Sequence, residues 1–489
     1  MWAVANNRVS YVYIANGAWK EVARFEAIAK ANKLDPIPEE NFRKLGESSA
    51  VGMTVSEMDK YLSEILVRDE YYSFGNGAYS VVDKDNVLYT NFGNDLYAFK
   101  LTDLANPSAG ITVKNSIINV DTAILGQKSR LFGLALTYDN YLVVTFLNGV
   151  AVIDRELNLT TKELLTFGNL KNGSLSDAVS NSIAIDEKNG IYIVSNTTMR
   201  KLVWDGTKIT LKWKEVYNED TTVPPIVKFD YGTGSTPTLM GFGDDQDKLV
   251  VITSGGSQMK LVAFWRDEIP TGLERKADEI PVTCGLDPLP EWIQSEQSVV
   301  VSGYGAFVVN NMPSTVAPEL EAENKNKTLQ VSLMGPAYPG PLGVERFEWN
   351  PVTHKWKSVW QRPDIASNSM IPAHSRTGTM VLVNGYYKES GWEVTGLDWN
   401  TGKTVHRTIF GHKNLGNGAY AIIQHLSNKS LIFNSIVGPF LVDYDDLNSG
   451  SGGGCSVTGT AGTALLLFVP LVFTLRRKKI RSKSAFFTI

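Results

Sequence analysis

The chain has 489 residues and a formal charge of −4, with 43% hydrophobic and 20% charged residues; this excludes a disordered, collagen-like or coiled-coil protein and leaves apolar mass for a large core. Two cysteines and five histidines exclude a disulfide scaffold and a four-cysteine zinc site, and leave little for a histidine metal centre. Six of the 47 basic residues crowd into the last 14 positions, so 41 basic groups face 51 acidic ones before them, an acidic body without an electrostatic footprint for nucleic acid.

The first predicted elements are helical. Trp19, Val22, Phe25, Ile28 and Ala29 recur at three- and four-residue spacing, and Met58, Tyr61, Leu62 and Ile65 do so after Ser56, read as an N-cap. Residues 1–70 are therefore expected to form an N-terminal helical segment, interrupted at Asp35-Pro36-Ile37-Pro38.

From residue 71 the pattern becomes strand, Asx/Gly turn, strand. Candidate units begin at 79, 134, 182, 236, 297, 371 and 419, roughly 50 residues apart, with the fifth enlarged by a long loop. Several short strands per repeat at that period define the blade of a β-propeller, so 71–446 is expected to be all-β with six to eight blades, seven fitting best, and 419–445 is expected to help close the ring. In one unit, Leu397-Asp398-Trp399-Asn400-Thr401-Gly402-Lys403-Thr404-Val405 resembles the turn of quinoprotein-like propeller repeats, although His406 stands where those repeats carry a docking tryptophan.

In a propeller the innermost strands line a channel, and polar residues at their starts are the natural ligand site. The ligand-binding candidates are Asn76, Asn181, Thr236, Glu296 and Gln297. Glu296, in Ser295-Glu296-Gln297-Ser298, is a carboxylate just before an apolar strand, and with Asn181 and Asn310 or Asn311 it offers the oxygen ligands Ca²⁺ prefers. This arrangement resembles calcium-dependent propeller lactonases and strictosidine-synthase-like proteins. Glu296 and His374 are the catalytic candidates, His374 as a general base, and the two are expected to lie near each other and near Asn181. The Gly-rich stretch 232–238 lacks the lysine and helix of a P-loop and reads as entry into an inner strand.

The linker 447–456 is rich in Gly and Ser. It precedes an uncharged span at 457–475, about 28 Å of helix and long enough to cross a bilayer. The basic stretch 476–489 follows, and the positive-inside rule puts it in the cytoplasm. Gly452-Gly453-Gly454-Cys455-Ser456, the short apolar span and Arg476-Arg477-Lys478-Lys479 together resemble a bacterial C-terminal sorting signal of the Synergistes-type CTERM kind. The resemblance implies export, recognition by a membrane sorting machinery, and processing around Gly453, Gly454 and Cys455. Residues 1–8 have neither a basic n-region nor an apolar h-region, so export requires a leader ahead of residue 1; otherwise the span is a tail anchor with the body in the cytoplasm. The expected protein is an envelope-anchored propeller, its body periplasmic or extracellular, that binds a small molecule or a protein. The alternative is a calcium-dependent lactonase-like hydrolase or a quinoprotein-like oxidoreductase working in the channel.

Overall fold

The computed structural model describes residues 1–5, 8–14, 19–26, 37–66, 79–167, 177–245, 247–322, 326–426 and 430–442. Asn76, the sorting residues Gly453, Gly454 and Cys455, and the span at 457–475 lie outside them. No helix among the described residues is long and apolar enough to cross a membrane.

Eight antiparallel meanders follow one another along the chain. Blade 1 is β1 (Trp2–Ala5), β2 (Arg8–Tyr13) and β3 (Lys20–Phe25); blade 2 is β4 (Val81–Val82), β5 (Leu88–Phe92), β6 (Asp95–Leu101) and β7 (Ile111–Ile117). Blade 3 is β8 (Leu131–Leu136), β9 (Leu142–Phe146), β10 (Gly149–Ile153) and β11 (Glu163–Thr166); blade 4 is β12 (Ala184–Ile185), β13 (Gly190–Val194), β14 (Thr198–Trp204) and β15 (Ile209–Val216). Blade 5 is β16 (Thr238–Met240), β17 (Leu249–Thr253), β18 (Lys260–Trp265) and β19 (Lys276–Pro281); blade 6 is β20 (Val300–Ser302), β21 (Gly305–Val309), β22 (Leu342–Asn350) and β23 (Lys355–Ala366). Blade 7 is β24 (Ala373–Ser375), β25 (Met380–Tyr387), β26 (Gly391–Asp398) and β27 (Thr404–Gly411); blade 8 is β28 (Ile423–His425), β29 (Leu431–Ser435) and β30 (Gly438–Val442). Strands such as β9 and β17 are buried at every residue, because each blade is covered on both faces by its neighbours. This is why they read as unbroken apolar runs.

The seven expected units are blades 2–8. The eighth blade comes from the N-terminal residues expected to be helical. Trp19, Val22 and Phe25 fit a helical stripe, but β3 pairs with β2, Val9 opposite Phe25, and Trp19 and Ala23 are buried between blades. A short amphipathic segment rich in aromatic and β-branched residues fits both periods, and the pairing partner decides. Blade 1 closes the ring. Trp2, Val4 and Val9 pack on Leu88, Phe92 and Phe99 of blade 2, while Ala3, Val12 and Trp19 pack on Ile432 and Leu441 of blade 8.

The tight turns are built by side chains. Asp83 Oδ1 accepts from the N–H groups of Asp85 and Val87 (2.9 and 2.8 Å), and Asp186 Oδ1 accepts from those of Lys188 and Gly190 (2.9 and 2.7 Å). Asn86 and Asn189 take left-handed φ of 60° and 59° at matching places. The Asp398 turn of the quinoprotein-like motif works likewise, accepting from Asn400 and Thr401 N–H. A tryptophan does dock there, but it comes from the preceding blade. Gly402 lies so close to the Trp360 ring that a Cβ would overlap it, and Trp360 Nε1 donates to Trp399 O at 2.9 Å.

The helices cover one end of the ring. They are α1 (Glu39–Glu47), α2 (Val55–Ile65), α3 (Val120–Leu125), α4 (Pro318–Ala322) and α5 (Lys327–Leu333), the last two inside the long β21–β22 connection. Thr54, not Ser56, caps α2. Its Oγ1 accepts from Glu57 N–H and Glu57 Oε2 accepts from Thr54 N–H, a reciprocal box that needs the glutamate three residues on. Leu45, Met58 and Leu62 of α1 and α2 join Leu329 and Leu333 of α5 over Val227 of the β15–β16 connection. Only α1 and α2 of the expected N-terminal helical segment are helical among the described residues, and they belong to this cap.

Candidate functional site

The loops that lead into the inner strands all reach the capped end, and they are tied to one another. Ser182 N–H donates to Thr236 Oγ1 (3.2 Å), Thr236 N–H to Ser298 Oγ (3.2 Å), Ser235 Oγ to Gln297 O (3.0 Å) and Gln297 Nε2 to Ser367 Oγ (3.2 Å). Thr236 and Gln297 thus spend their hydrogen bonds joining blades. Asn310 is spent as well: its Oδ1 accepts from Gln294 and Met312 N–H and its Nδ2 donates to Met312 and Leu342 carbonyls.

Helix α5 lies across this mouth. Gln330 Oε1 accepts from Val227 N–H (3.1 Å), Asn417 Nδ2 donates to Val331 O (2.9 Å), and Asn368 Nδ2 donates to Met334 O (2.7 Å), just past the helix. The helix is therefore pinned to the loops before β16, β24 and β28. All seven of its residues are buried, Lys327 included.

Beneath it sits Glu296, its side chain 6% exposed. Oε1 accepts from Phe229 N–H (3.0 Å) and faces Lys228 Nζ at 3.7 Å, while the backbone N–H of Glu296 donates to Asn311 Oδ1 (3.2 Å). Gly234 is required beside it, because a Cβ there would overlap Glu296. Lys228 is fully enclosed and also donates to Ser295 O (3.1 Å); burial holds its ammonium below the usual lysine range, against the pull of Glu296. Lys327 Nζ lies 5.7 Å from the centre of the Phe229 ring, and burial brings it down to about 8, Glu296 opposing. Burial pushes the phenols of Tyr79 and Tyr420 up, and the charge of Glu296 adds to it at both. Asn311 Nδ2 and Asn181 Oδ1 are buried with no hydrogen-bond partner among the described residues. The mouth thus offers amines, phenols, amides and the Glu296 carboxylate in a largely buried place, with Phe229 exposed at its edge.

Asn181 reaches this region from the other flank of the glycine-rich loop, its Nδ2 3.4 Å from Thr233 O. His374 does not. It sits in β24 against Trp399, ring centres 4.4 Å apart, with Arg346, His425 and Arg376 as its charged neighbours; burial first, then these cations, pull its pKa below the usual imidazole range. Its place inside the short strand β24, rather than on the loop before it, takes it away from Glu296. The proposed calcium set also meets an obstacle. Asn310 Oδ1 already accepts from two backbone N–H groups, and Lys228 Nζ stands 3.7 Å from Glu296. Sequence reasoning missed Lys228, Lys327, Tyr79 and Tyr420. Lys228 hides in a Pro-rich loop, and Lys327 in an Asn-Lys run that reads as solvated.

Fold and site together define an eight-bladed β-propeller with one mouth roofed by a helix over a buried charged cluster. No known family model matches the chain. A protein of Archaeoglobus fulgidus described as uncharacterized is 29% identical over 385 residues, covering 75% of this chain and 71% of that one. Among solved structures, Sqt1 from Chaetomium thermophilum superposes with a TM-score of 0.47 at 10% identity, over 77% of this chain and 84% of that one. The periplasmic gluconolactonase of Pseudomonas aeruginosa gives 0.41 at 12% identity, over 69% and 86%. Likeness at these values says nothing of activity.

Proposed function

We propose that the chain is an envelope-anchored propeller that holds a small polar ligand in the mouth beneath α5. One observation carries this reading: Lys228 and Glu296 are buried beside α5, whose own first residue is the buried Lys327, next to amide atoms left without partners among the described residues. Burying such groups is costly unless something meets them, and a ligand with complementary polar atoms would do so. A calcium-dependent hydrolytic mechanism would need Glu296 released from Lys228, so calcium content of the purified protein bears directly on that alternative.

A thermal-shift screen with small sugars, sugar acids and oxo acids tests the reading. A mouth ligand should raise the melting temperature of the parent chain and lose that effect in Asn311→Ala; a hit indifferent to Asn311→Ala and to Phe229→Ala would bind elsewhere and contradict it. The anchoring part of the proposal rests on the apolar span at 457–475 and the basic stretch after it. Protease added to intact, outer-membrane-permeabilised cells should digest the body and spare the tail. A protected body with an accessible tail would reverse the orientation.

A further inference from the structure

Among the described residues three lysines are buried, and their ammonium groups are treated differently. Lys201 meets Asp267 at 2.6 Å and Asp186 at 3.2 Å. Lys228 meets Glu296 and a carbonyl. Lys327, 6% exposed, makes neither ion pair nor hydrogen bond among the described residues; its one close partner is the face of Phe229. A paired buried lysine is a structural cation, whereas an unpaired one gives up its proton readily and becomes an amine with a free lone pair.

We infer that Lys327 is a nucleophile that captures a carbonyl-bearing ligand as an imine in the covered mouth. The inference rests on the ligand-holding reading above and names the class of ligand, an aldehyde or ketone. The neutral Nζ attacks the carbonyl carbon. The C–N bond forms, the C=O π pair moves to oxygen, and that oxygen takes a proton. Nitrogen then gives up a proton, water leaves and the imine remains, so amine and carbonyl are converted to imine and water with no redox partner. Glu296 is the described charged group that acts on Lys327, and we assign it the proton relay; Lys228 Nζ lies 3.7 Å from its Oε1. No other residue of α5 titrates.

The direction of the lysine shift sets the pH signature. With Lys327 down to about 8, its amine is about half neutral at pH 8 and mostly neutral at pH 9, where exposed lysines are still almost wholly protonated. The full chain is incubated with glycolaldehyde and sodium cyanoborohydride, then digested and mapped by mass spectrometry. Lys327 should be alkylated about tenfold faster than the exposed Lys84 and Lys355 at pH 8, with a rate that levels off above pH 8–9. Labelling no faster than at those two lysines, or absent, overturns the inference. If labelling is absent while a thermal-shift hit still binds equally well to the parent and to Lys327→Met, the imine is wrong and the ligand-holding mouth stands. If no compound binds and Lys327 is not labelled, both fall.

Discussion

Glu296→Gln should cost about 3 kcal/mol of stability at neutral pH, read by urea unfolding with unchanged m-value, because it leaves the enclosed Lys228 ammonium facing a neutral amide. The pH dependence identifies the cause. Burial already lowers the Lys228 pKa, so between its folded value and its unfolded value near 10.4 the unfolded state binds more protons and stability rises with pH. Removing Glu296 removes the group that raises Lys228, so this window extends further down. The penalty of Glu296→Gln relative to the parent should therefore shrink as pH rises from neutral towards 10, where the folded-state Lys228 becomes neutral in parent and variant alike. The double change Lys228→Met with Glu296→Gln should cost less than the two single changes added together. A penalty independent of pH, or strict additivity, would mean that the pair does not interact.

Trp2→Ala should lower stability by about 3–4 kcal/mol, a large value for a residue so near the start of the chain. Trp2 is 5% exposed, stands edge-on to Tyr11 at 5.0 Å, and its Nε1 donates to Asn86 Oδ1 at 3.0 Å across the junction of blades 1 and 2. Blade 1 covers the apolar faces of blades 2 and 8, so loosening it opens both. A loss below about 1 kcal/mol in thermal or urea unfolding would show that blade 1 is an attachment to a ring closed without it.

Blades 2–8 were legible because their turns announce themselves. Asp83 with Asn86, and Asp186 with Asn189, place an acceptor and a left-handed residue at fixed offsets between apolar runs. Blade 1 was not, because Trp19, Val22, Phe25, Ile28 and Ala29 fit a helical stripe that outweighed the Asn6-Asn7 and Asn16-Gly17 signals between its short strands. The site was half legible. Glu296 stood out as a carboxylate at the start of an inner strand, yet its partners come from a loop 67 residues earlier and a helix inside the long β21–β22 insertion. No local pattern links them; the ring brings them together. Thr236, Gln297 and Asn310 were the right kind of residue in the right place, but neighbouring backbone and hydroxyls had already taken their hydrogen bonds, a competition that periodicity does not reveal.

A crystal structure of the chain soaked with a thermal-shift hit tests most directly whether α5 and Glu296 enclose a ligand. Density for the compound is expected beside α5, with polar atoms within about 3 Å of Lys228, Glu296, Asn311 or Lys327. Density at the opposite end of the channel, near His374 and Trp399, with α5 closed directly onto Glu296, would contradict it.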